Sequence, residues 1–167
     1  MGIVLARVDC RLIHGQVVEA WLPYTRADCL VVANDRVAED PMEQAIMTMA
    51  VPPSIEVEIV KVKEAAIKGE TGAWDDKRVI LLFANIQDAL ASRRQGLRFD
   101  WLNLGNIHCP SGRTQLTCSV CLDDLDLNLL KELSDNGVML EARRVPQDSM
   151  CRMNQTVEAN LSQIMNG

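Results

Sequence analysis

The side chains best suited to chemistry lie in one short stretch near the N-terminus: Arg7, Asp9, Arg11 and His14. An imidazole has an ordinary pKa of about 6.5, so His14 is largely neutral near pH 7 and can act as a nucleophile. Asp9 could hold one ring nitrogen of His14 and leave the other free to attack. Arg7 and Arg11 offer paired N–H donors that suit phosphate oxygens. These residue types permit phosphoryl transfer through His14, with Asp9 and Arg11 as its candidate catalytic partners and Arg7 as a candidate phosphate ligand.

The sequence around this stretch predicts a strand before it and a helix after it. The apolar run Ile3–Ala6 is typical of a buried strand, and Val17–Leu22 is typical of an amphipathic helix that ends at Pro23. The first turn of a helix has free N–H groups and a partial positive charge, which bind anions. We therefore expect Gly15 and Gln16 to bind phosphate. A simpler alternative is a surface loop in which arginine and aspartate pair and the histidine caps the helix.

Strand and helix patterns alternate along the rest of the chain. The continuous apolar run Val79–Phe83 is typical of a parallel strand covered on both faces, whereas the alternation in Ile55–Val60 is typical of an edge strand. Further strands are predicted at Phe99–Leu104 and Val138–Val145. We therefore expect residues 1–167 to form a single α/β domain, with three α/β/α layers around an open, mostly parallel sheet.

A methionine-rich stripe follows a predicted helix start at Asp40 and Pro41. Its apolar residues recur at helical spacing: Met42, Ala45, Ile46, Met49 and Ala50. Methionine often fills irregular gaps in protein cores, so we expect this stripe to pack into the core.

Polar residues and a glycine follow two of the predicted strands, at the sheet edge where ligands gather in open α/β folds. Asn85 follows the strand Val79–Phe83 and is a candidate phosphate ligand, although it is also placed to cap the next helix. Gly105 follows the next strand and could let the backbone approach a phosphoryl group. His108 lies near the same edge, and a structural role for it is favoured over a second catalytic role.

The six cysteines are Cys10, Cys29, Cys109, Cys118, Cys121 and Cys151. In a reducing compartment we expect them to be free thiols. His108, Cys109, Cys118 and Cys121 could form a zinc site, but the short spacing from Cys109 to Cys118 and the lack of a second C-x-x-C argue against it. We therefore predict no metal and no other cofactor.

Composition argues against several classes of protein. The net charge of -6 disfavours nonspecific binding to nucleic acid, which requires a basic face. No apolar run approaches the length of a membrane span. The N-terminus lacks the basic region and apolar core of a signal peptide, so we expect a cytoplasmic protein.

The run from Arg7 to Val17, Arg-Val-Asp-Cys-Arg-Leu-Ile-His-Gly-Gln-Val, resembles the signature loop of the IIB subunits of the mannose/fructose/sorbose family of the bacterial sugar phosphotransferase system. In that family this histidine is phosphorylated, so the resemblance implies that His14 accepts a phosphoryl group on Nδ1. The turn Asn103–Asn106 resembles the family's Asn-Val-Gly-Gly turn, with Asn106 in place of the second glycine. Cys10 departs from the family pattern, in which a second acid is common at that position.

The resemblance also implies the partners. A IIA protein with a phosphohistidine would donate the phosphoryl group, and a sugar arriving through membrane IIC and IID subunits would receive it. The protein would then be a transferase that needs no cofactor, and it would be held at the membrane surface through IIC and IID. The alternative is a regulatory protein that uses the same phosphohistidine loop to dock on partners and moves no sugar. The two hypotheses share a phosphorylated His14 and differ in whether IIC and IID are present.

Overall fold

The computed structural model describes residues 2–109 and 113–166. Within these residues a seven-stranded sheet has the strand order β3-β2-β4-β1-β5-β8-β9, and β6 pairs with β7 in a separate hairpin. The strands are β1 (Gly2–Asp9), β2 (Cys29–Ala33), β3 (Glu56–Val60), β4 (Arg78–Phe83), β5 (Trp101–Asn106), β6 (Thr114–Gln115), β7 (Cys121–Leu122), β8 (Met139–Ala142) and β9 (Cys151–Arg152). Neighbouring strands of the sheet run parallel, except that β9 is antiparallel to β8.

Helical segments connect the strands. A π-helical segment, Gln16–Trp21, follows β1 and leads directly into α1 (Leu22–Thr25). The remaining helices are α2 (Asp35–Ala38), α3 (Pro41–Met49), α4 (Val62–Glu70), α5 (Ile86–Arg94), α6 (Asp124–Asp135) and α7 (Asn154–Asn166). None of the helices in the described part of the chain has the length and apolar character needed to cross a bilayer.

The sheet has a hydrophobic core on each face. On one face Ala6 and Val8 of β1 belong to a core that includes buried residues of α4, α5, α6 and α7. On the other face Leu5 belongs to a core with Val17 and Trp21 of the π-helical segment and with residues of α1, α2 and α3. The prediction of three α/β/α layers around an open, mostly parallel sheet is confirmed.

Several local predictions differ from the structure. Pro23 does not end the helix, because it lies in the first turn of α1, where its missing N–H needs no partner. The chain instead turns at Arg26, whose φ of 53° is left-handed. The predicted last strand ends at Ala142, and the short antiparallel strand β9 was not predicted. The sequence Ser-Gly-Arg at residues 111–113 predicts a turn, and residues 111 and 112 lie outside the described part of the chain.

The prediction that the methionine-rich stripe of α3 packs into the core is wrong. Met42, Ile46 and Met49 are 74%, 63% and 85% exposed, whereas Met47, which was not assigned to the stripe, is 8% exposed. Asp40 caps α3 as predicted, since its side chain accepts hydrogen bonds from the backbone N–H groups of residues 42 and 43. Helical spacing shows which residues share a face, but it does not show which face meets the sheet.

A pair of adjacent substitutions in α3 tests this assignment. Ile46→Gln should change the free energy of unfolding by less than about 0.5 kcal/mol, because the side chain is exposed. Met47→Ala should lower it by about 2 kcal/mol or more, because it leaves a cavity in a buried cluster. Denaturant unfolding of the two variants measures both values. A larger loss for Ile46→Gln than for Met47→Ala would reverse the orientation of α3.

Candidate active site

The loop that contains His14 leaves the carboxyl end of β1, in the middle of the sheet between β4 and β5. The backbone of Cys10 donates to the carbonyl of Asn106 at 2.9 Å, and the backbone of Leu12 donates to the carbonyl of Asp9 at 2.9 Å. The side chains of Leu12 and Ile13 are buried in the core beneath the loop. Leu12 has a φ of 55°, a left-handed conformation that is rare for a leucine. The loop is therefore held in one shape by both its backbone and its apolar side chains.

Asp9 is the centre of the site. Its side chain is 0% exposed, and one oxygen, Oδ2, lies 2.8 Å from the guanidinium of Arg7 and 2.9 Å from Nε2 of His14. The other oxygen, Oδ1, accepts hydrogen bonds from the backbone N–H of Arg11 at 3.1 Å and from its Nε at 3.2 Å. The structure therefore brings together the three residues that were predicted to be catalytic.

The surroundings of Asp9 favour its ionised form. Burial raises the pKa of the Asp9 carboxyl, but the hydrogen bond from His14 and the positive charge of Arg7 outweigh burial and lower that pKa from 3.8 to about 2. Asp9 is therefore a carboxylate at neutral pH, and a carboxylate can only accept hydrogen bonds.

This property of Asp9 fixes the tautomer of neutral His14. Because Nε2 lies 2.9 Å from Oδ2 of Asp9, the ring hydrogen belongs on Nε2. The second nitrogen, Nδ1, then has a free lone pair and accepts a long hydrogen bond, 3.3 Å, from the backbone N–H of Gln16. The His14 side chain is 16% exposed, so this nitrogen lies close to the surface at the start of the π-helical segment.

Arg11 is the exposed cation of the site. Its side chain is 44% exposed, and its NH2 group donates to Oε1 of Gln16 at 2.8 Å. The guanidinium is thus held between Asp9 and Gln16, on the same loop as His14. The backbone N–H of Gln16 lies at Nδ1, and the exposed guanidinium of Arg11 holds the side chain of the same Gln16; N–H donors of both kinds suit an anion.

Arg7 was predicted to be a phosphate ligand, but the structure places it below the surface. It is 0% exposed, and its guanidinium donates to Asp9, to the side chain of Asn103, and to the carbonyls of Arg143 and Arg144 at 3.0 and 3.1 Å. It also lies against the ring of Trp21, 5.3 Å from the ring centroid. A direct contact with a surface phosphoryl group does not fit this position. Arg7 supports Asp9 from below.

Gly105 has a structural reason to lack a side chain. A Cβ atom added there would overlap the guanidinium of Arg7. The glycine therefore makes room for a buried arginine on the neighbouring strand, and the approach of its backbone to a phosphoryl group stays a prediction.

Asn85 caps a helix, which was the alternative to its role as a ligand. Its side chain accepts from the backbone N–H of Asp88 at 2.7 Å and donates to the carboxylate of Asp88 at 3.1 Å. Both ends of the Asn85 amide are occupied within α5, and no contact in the described part of the chain joins it to the His14 loop. The structure therefore does not bring Asn85 into the site.

The expectation that all six cysteines are free is wrong for two of them. Cys109 and Cys121 form a disulfide, because Ile107 pairs with the segment before β7 and brings the two Cα atoms within 5.0 Å. A zinc site that uses both thiols is incompatible with this bond. His108 is exposed, and Cys10 is an exposed thiol whose sulfur accepts from Nδ2 of Asn106 at 3.0 Å.

One group of possible metal ligands lies elsewhere, at the amino ends of β2 and β3. The ligand atoms of Cys29, Glu56 and Glu58 are within 4.8 Å of one another. Lys77 pairs with both carboxylates, at 2.8 and 3.4 Å, and burial is the main cause that raises the pKa of the Cys29 thiol to about 12. The carboxylates already have a cation, so this group is an ion-pair cluster in the structure.

Two buried polar residues near the site were not predicted to belong to it: Glu141 was not named, and Asn103 was assigned to a turn, whereas it lies inside β5. Asn103 on β5 and Glu141 on β8 are 0% and 1% exposed, and Asn103 donates to Glu141 at 2.8 Å. The available signal was a polar residue inside each of two predicted apolar strands. Such a residue has to find a partner on a neighbouring strand, and the strand order was not predictable.

Comparisons with known proteins agree on one family. The family model described as "PTS system sorbose subfamily IIB component" matches residues 3–166. The sorbose-specific EIIB component of Klebsiella pneumoniae is 36% identical over 148 residues, which cover 89% of this chain and 90% of that protein. The mannose-specific EIIAB component of Escherichia coli strain K12 is 33% identical over 153 residues, which cover 92% of this chain and 47% of that longer protein.

Solved structures give the same result. The crystal structure of the IIBSor domain of the sorbose permease from Klebsiella pneumoniae matches with a TM-score of 0.87 at 34% identity, covering 95% of this chain and 98% of that one. The crystal structure of manxB from Thermoanaerobacter tengcongensis matches with a TM-score of 0.86 at 30% identity, covering 93% of this chain and 95% of that one.

The low pKa of Asp9 predicts a pH dependence of stability. Because the folded-state pKa lies below the unfolded value, the folded protein binds fewer protons, and the contribution of Asp9 is complete above pH 4 and is lost as the pH falls through about 2. The difference in free energy of unfolding between the parent and Asp9→Asn should therefore shrink by about 2 kcal/mol between pH 5 and pH 2. Denaturant unfolding across this range measures it. A difference that stays constant across this range for Asp9→Asn would contradict the assignment.

Proposed function

The chain belongs to the IIB components of the sorbose subfamily of the sugar phosphotransferase system, and from this premise we propose that His14 is the residue that holds the phosphoryl group, on Nδ1. A IIB component is a phosphotransferase: it accepts a phosphoryl group from IIA and transfers it to a sugar. The observation that most directly supports Nδ1 is that Asp9 occupies the other ring nitrogen, Nε2, at 2.9 Å.

In the first step the lone pair on Nδ1 attacks the phosphorus atom of phosphorylated IIA. A new N–P bond forms at His14 as the N–P bond to the IIA histidine breaks, and the N–H on Nε2 stays hydrogen-bonded to Asp9. The His14 ring then has substituents on both nitrogens and is positively charged. Asp9, buried and ionised, compensates that charge.

In the second step the oxygen of a sugar hydroxyl attacks phosphorus, the hydroxyl proton is released to solvent, and the N–P bond to His14 breaks. The electron pair of that bond returns to Nδ1, which restores the neutral ring with its hydrogen on Nε2. Transfer of this kind is catalysed mainly by positioning and by neutralising charge on the phosphoryl oxygens. We assign the backbone N–H of Gln16, with Gly15 before it, to those oxygens because it lies 3.3 Å from Nδ1. We assign Arg11 to them as well, because its guanidinium is exposed and is hydrogen-bonded to the side chain of the same Gln16.

The partners follow from the family and from the relatives. We assign a IIA protein as the donor, and the printed name of the mannose-specific EIIAB relative, of which this chain matches about half, supports that pairing. We assign membrane IIC and IID subunits as the route of the sugar, with this chain at the cytoplasmic surface as a single domain. The relatives are named for sorbose, fructose, mannose and N-acetylgalactosamine, so the proposed substrate is a hexose or a hexose derivative.

The nucleophile can be tested by removing it. His14→Ala should still fold, because Arg7 and Arg11 continue to donate to Asp9, and it should accept no phosphoryl group from phosphorylated IIA. The measurement is transfer from phosphoenolpyruvate through the general phosphocarrier proteins and a cognate IIA, followed by peptide mapping of the acid-labile label. Cys10→Ser is the matched control in the same loop and should be labelled within a fewfold of the parent rate. Label that survives in His14→Ala, or disappears in Cys10→Ser, would place the phosphoryl group elsewhere.

The role of Arg11 can be tested by changing its shape and its charge separately. Arg11→Ala should slow phosphorylation about a hundredfold, comparable to the loss of one donor from an oxyanion site. Arg11→Lys should recover only part of that loss, because an ammonium group cannot form the planar fork that joins Asp9 to Gln16. Lys63→Ala, at an exposed cation of α4, is the control for general charge. Equal rates for Arg11→Lys and the parent would mean that Arg11 contributes only diffuse charge.

A further inference from the structure

A row of polar side chains crosses the sheet beside the site. Arg7 of β1 is in register with Asn103 of β5, and Asn103 is in register with Glu141 of β8, so all three side chains lie on one face. Each of them is at most 1% exposed. On the antiparallel edge strand β9, Arg152 lies opposite Glu141, with an exposed side chain.

Hydrogen bonds join this row from end to end, and Arg7 donates to the neighbour on each side of it. The Asn103 amide donates to Oε1 of Glu141 at 2.8 Å, and its carbonyl accepts from the Arg7 guanidinium. Arg7 in turn donates to Asp9 at 2.8 Å, and Asp9 accepts from His14 at 2.9 Å. Arginine can only donate and a carboxylate can only accept, so Asn103 has one orientation that satisfies both neighbours. The row therefore connects Glu141 to the His14 ring without a gap.

The row is poorly explained as a source of stability. Four buried side-chain atoms in the described residues have no hydrogen-bond partner. Three of them are in the row or in Arg143, which pairs with Glu141: Nε of Arg7, Oε2 of Glu141 and Nε of Arg143. Buried ion pairs of this kind are often no more stabilising than apolar residues of the same shape, and unpaired buried atoms are costly. A role in orienting the site explains why polar groups occupy these positions.

We propose that Asn103 and Glu141 are positioning residues for phosphoryl transfer: through Arg7 they fix Asp9, and through Asp9 they hold the hydrogen of His14 on Nε2 and keep Nδ1 free. The proposal rests on the function proposed for His14. Neither residue touches the reacting atoms. The charged groups that face Glu141 are Arg7 on β1, Arg143 at 3.4 Å in the loop after β8, and Arg152 on β9.

The test compares three variants of the whole chain. Asn103→Leu interrupts the row, Glu141→Gln removes its terminal charge with little change of shape, and Leu102→Ala is a control that opens a cavity on the opposite face of the same strand. The first readout is the pair of ¹⁵N chemical shifts of the His14 ring nitrogens in the unphosphorylated protein, at a pH where the ring is neutral. The second readout is the rate of phosphorylation by a cognate IIA.

In the parent the shifts should identify hydrogen on Nε2. In Asn103→Leu the two resonances should move toward each other, because hydrogen on Nδ1 becomes populated, and phosphorylation should slow about tenfold. Glu141→Gln should move both readouts in the same direction by a smaller amount. If Asn103→Leu does not fold, Glu141→Gln alone tests the proposal. Leu102→Ala should leave the ring shifts unchanged.

Unchanged ring shifts in Glu141→Gln and Asn103→Leu would overturn the proposal, and so would an equal change in Leu102→Ala, since the effect would then be general destabilisation. If the parent protein were not phosphorylated at all, the proposed function would fail, whereas the ring shifts would still test the row. If all variants were phosphorylated at the parent rate, the function would stand and the inference would fail.

Discussion

The constraint on which this structure depends is the presence of one ionised carboxylate with no exposed surface. An unpaired charge inside a protein is very costly, so Asp9 can be a carboxylate only if donors surround it. Arg7, Arg11 and His14 supply those donors, and each becomes ordered as a result. The tautomer of the neutral histidine, the position of the exposed arginine and the path of the loop all follow from satisfying this single group.

The parallel sheet supplies the geometry that makes this possible. Residues two apart on β1 share a face, so Arg7 and Asp9 lie side by side beneath the loop. The register with β5 places Asn103 next to Arg7, and Trp21 covers the guanidinium on the other side. Leu12 and Ile13 then anchor the loop in the core. The loop that contains His14 thus acquires a rigid base.

The sequence was sufficient for the layers, for most elements and for the grouping of Asp9, Arg11 and His14, because these depend on local pattern and close spacing. It was insufficient for Arg7, Gly105 and the row through Asn103. Those depend on which strand lies next to β1, and a single sequence contains no information on strand order. The orientation of α3 failed for a related reason: periodicity defines a stripe, but the contact that buries one side of a helix is made by distant residues.

The guanidinium of Arg7, on β1, fills the space where a side chain of residue 105, on β5, would lie. A side chain at position 105 requires a smaller residue at position 7, and a smaller residue at position 7 leaves Asp9 without one of its donors. The two positions are therefore expected to be strongly non-additive, so that a double substitution restores packing but not electrostatics. Any lineage that exchanged this glycine would have to rebuild the charge balance of the site by another route. The space that a side chain at position 105 would need is filled by the Arg7 guanidinium, and this limits how the chemistry of the loop can evolve.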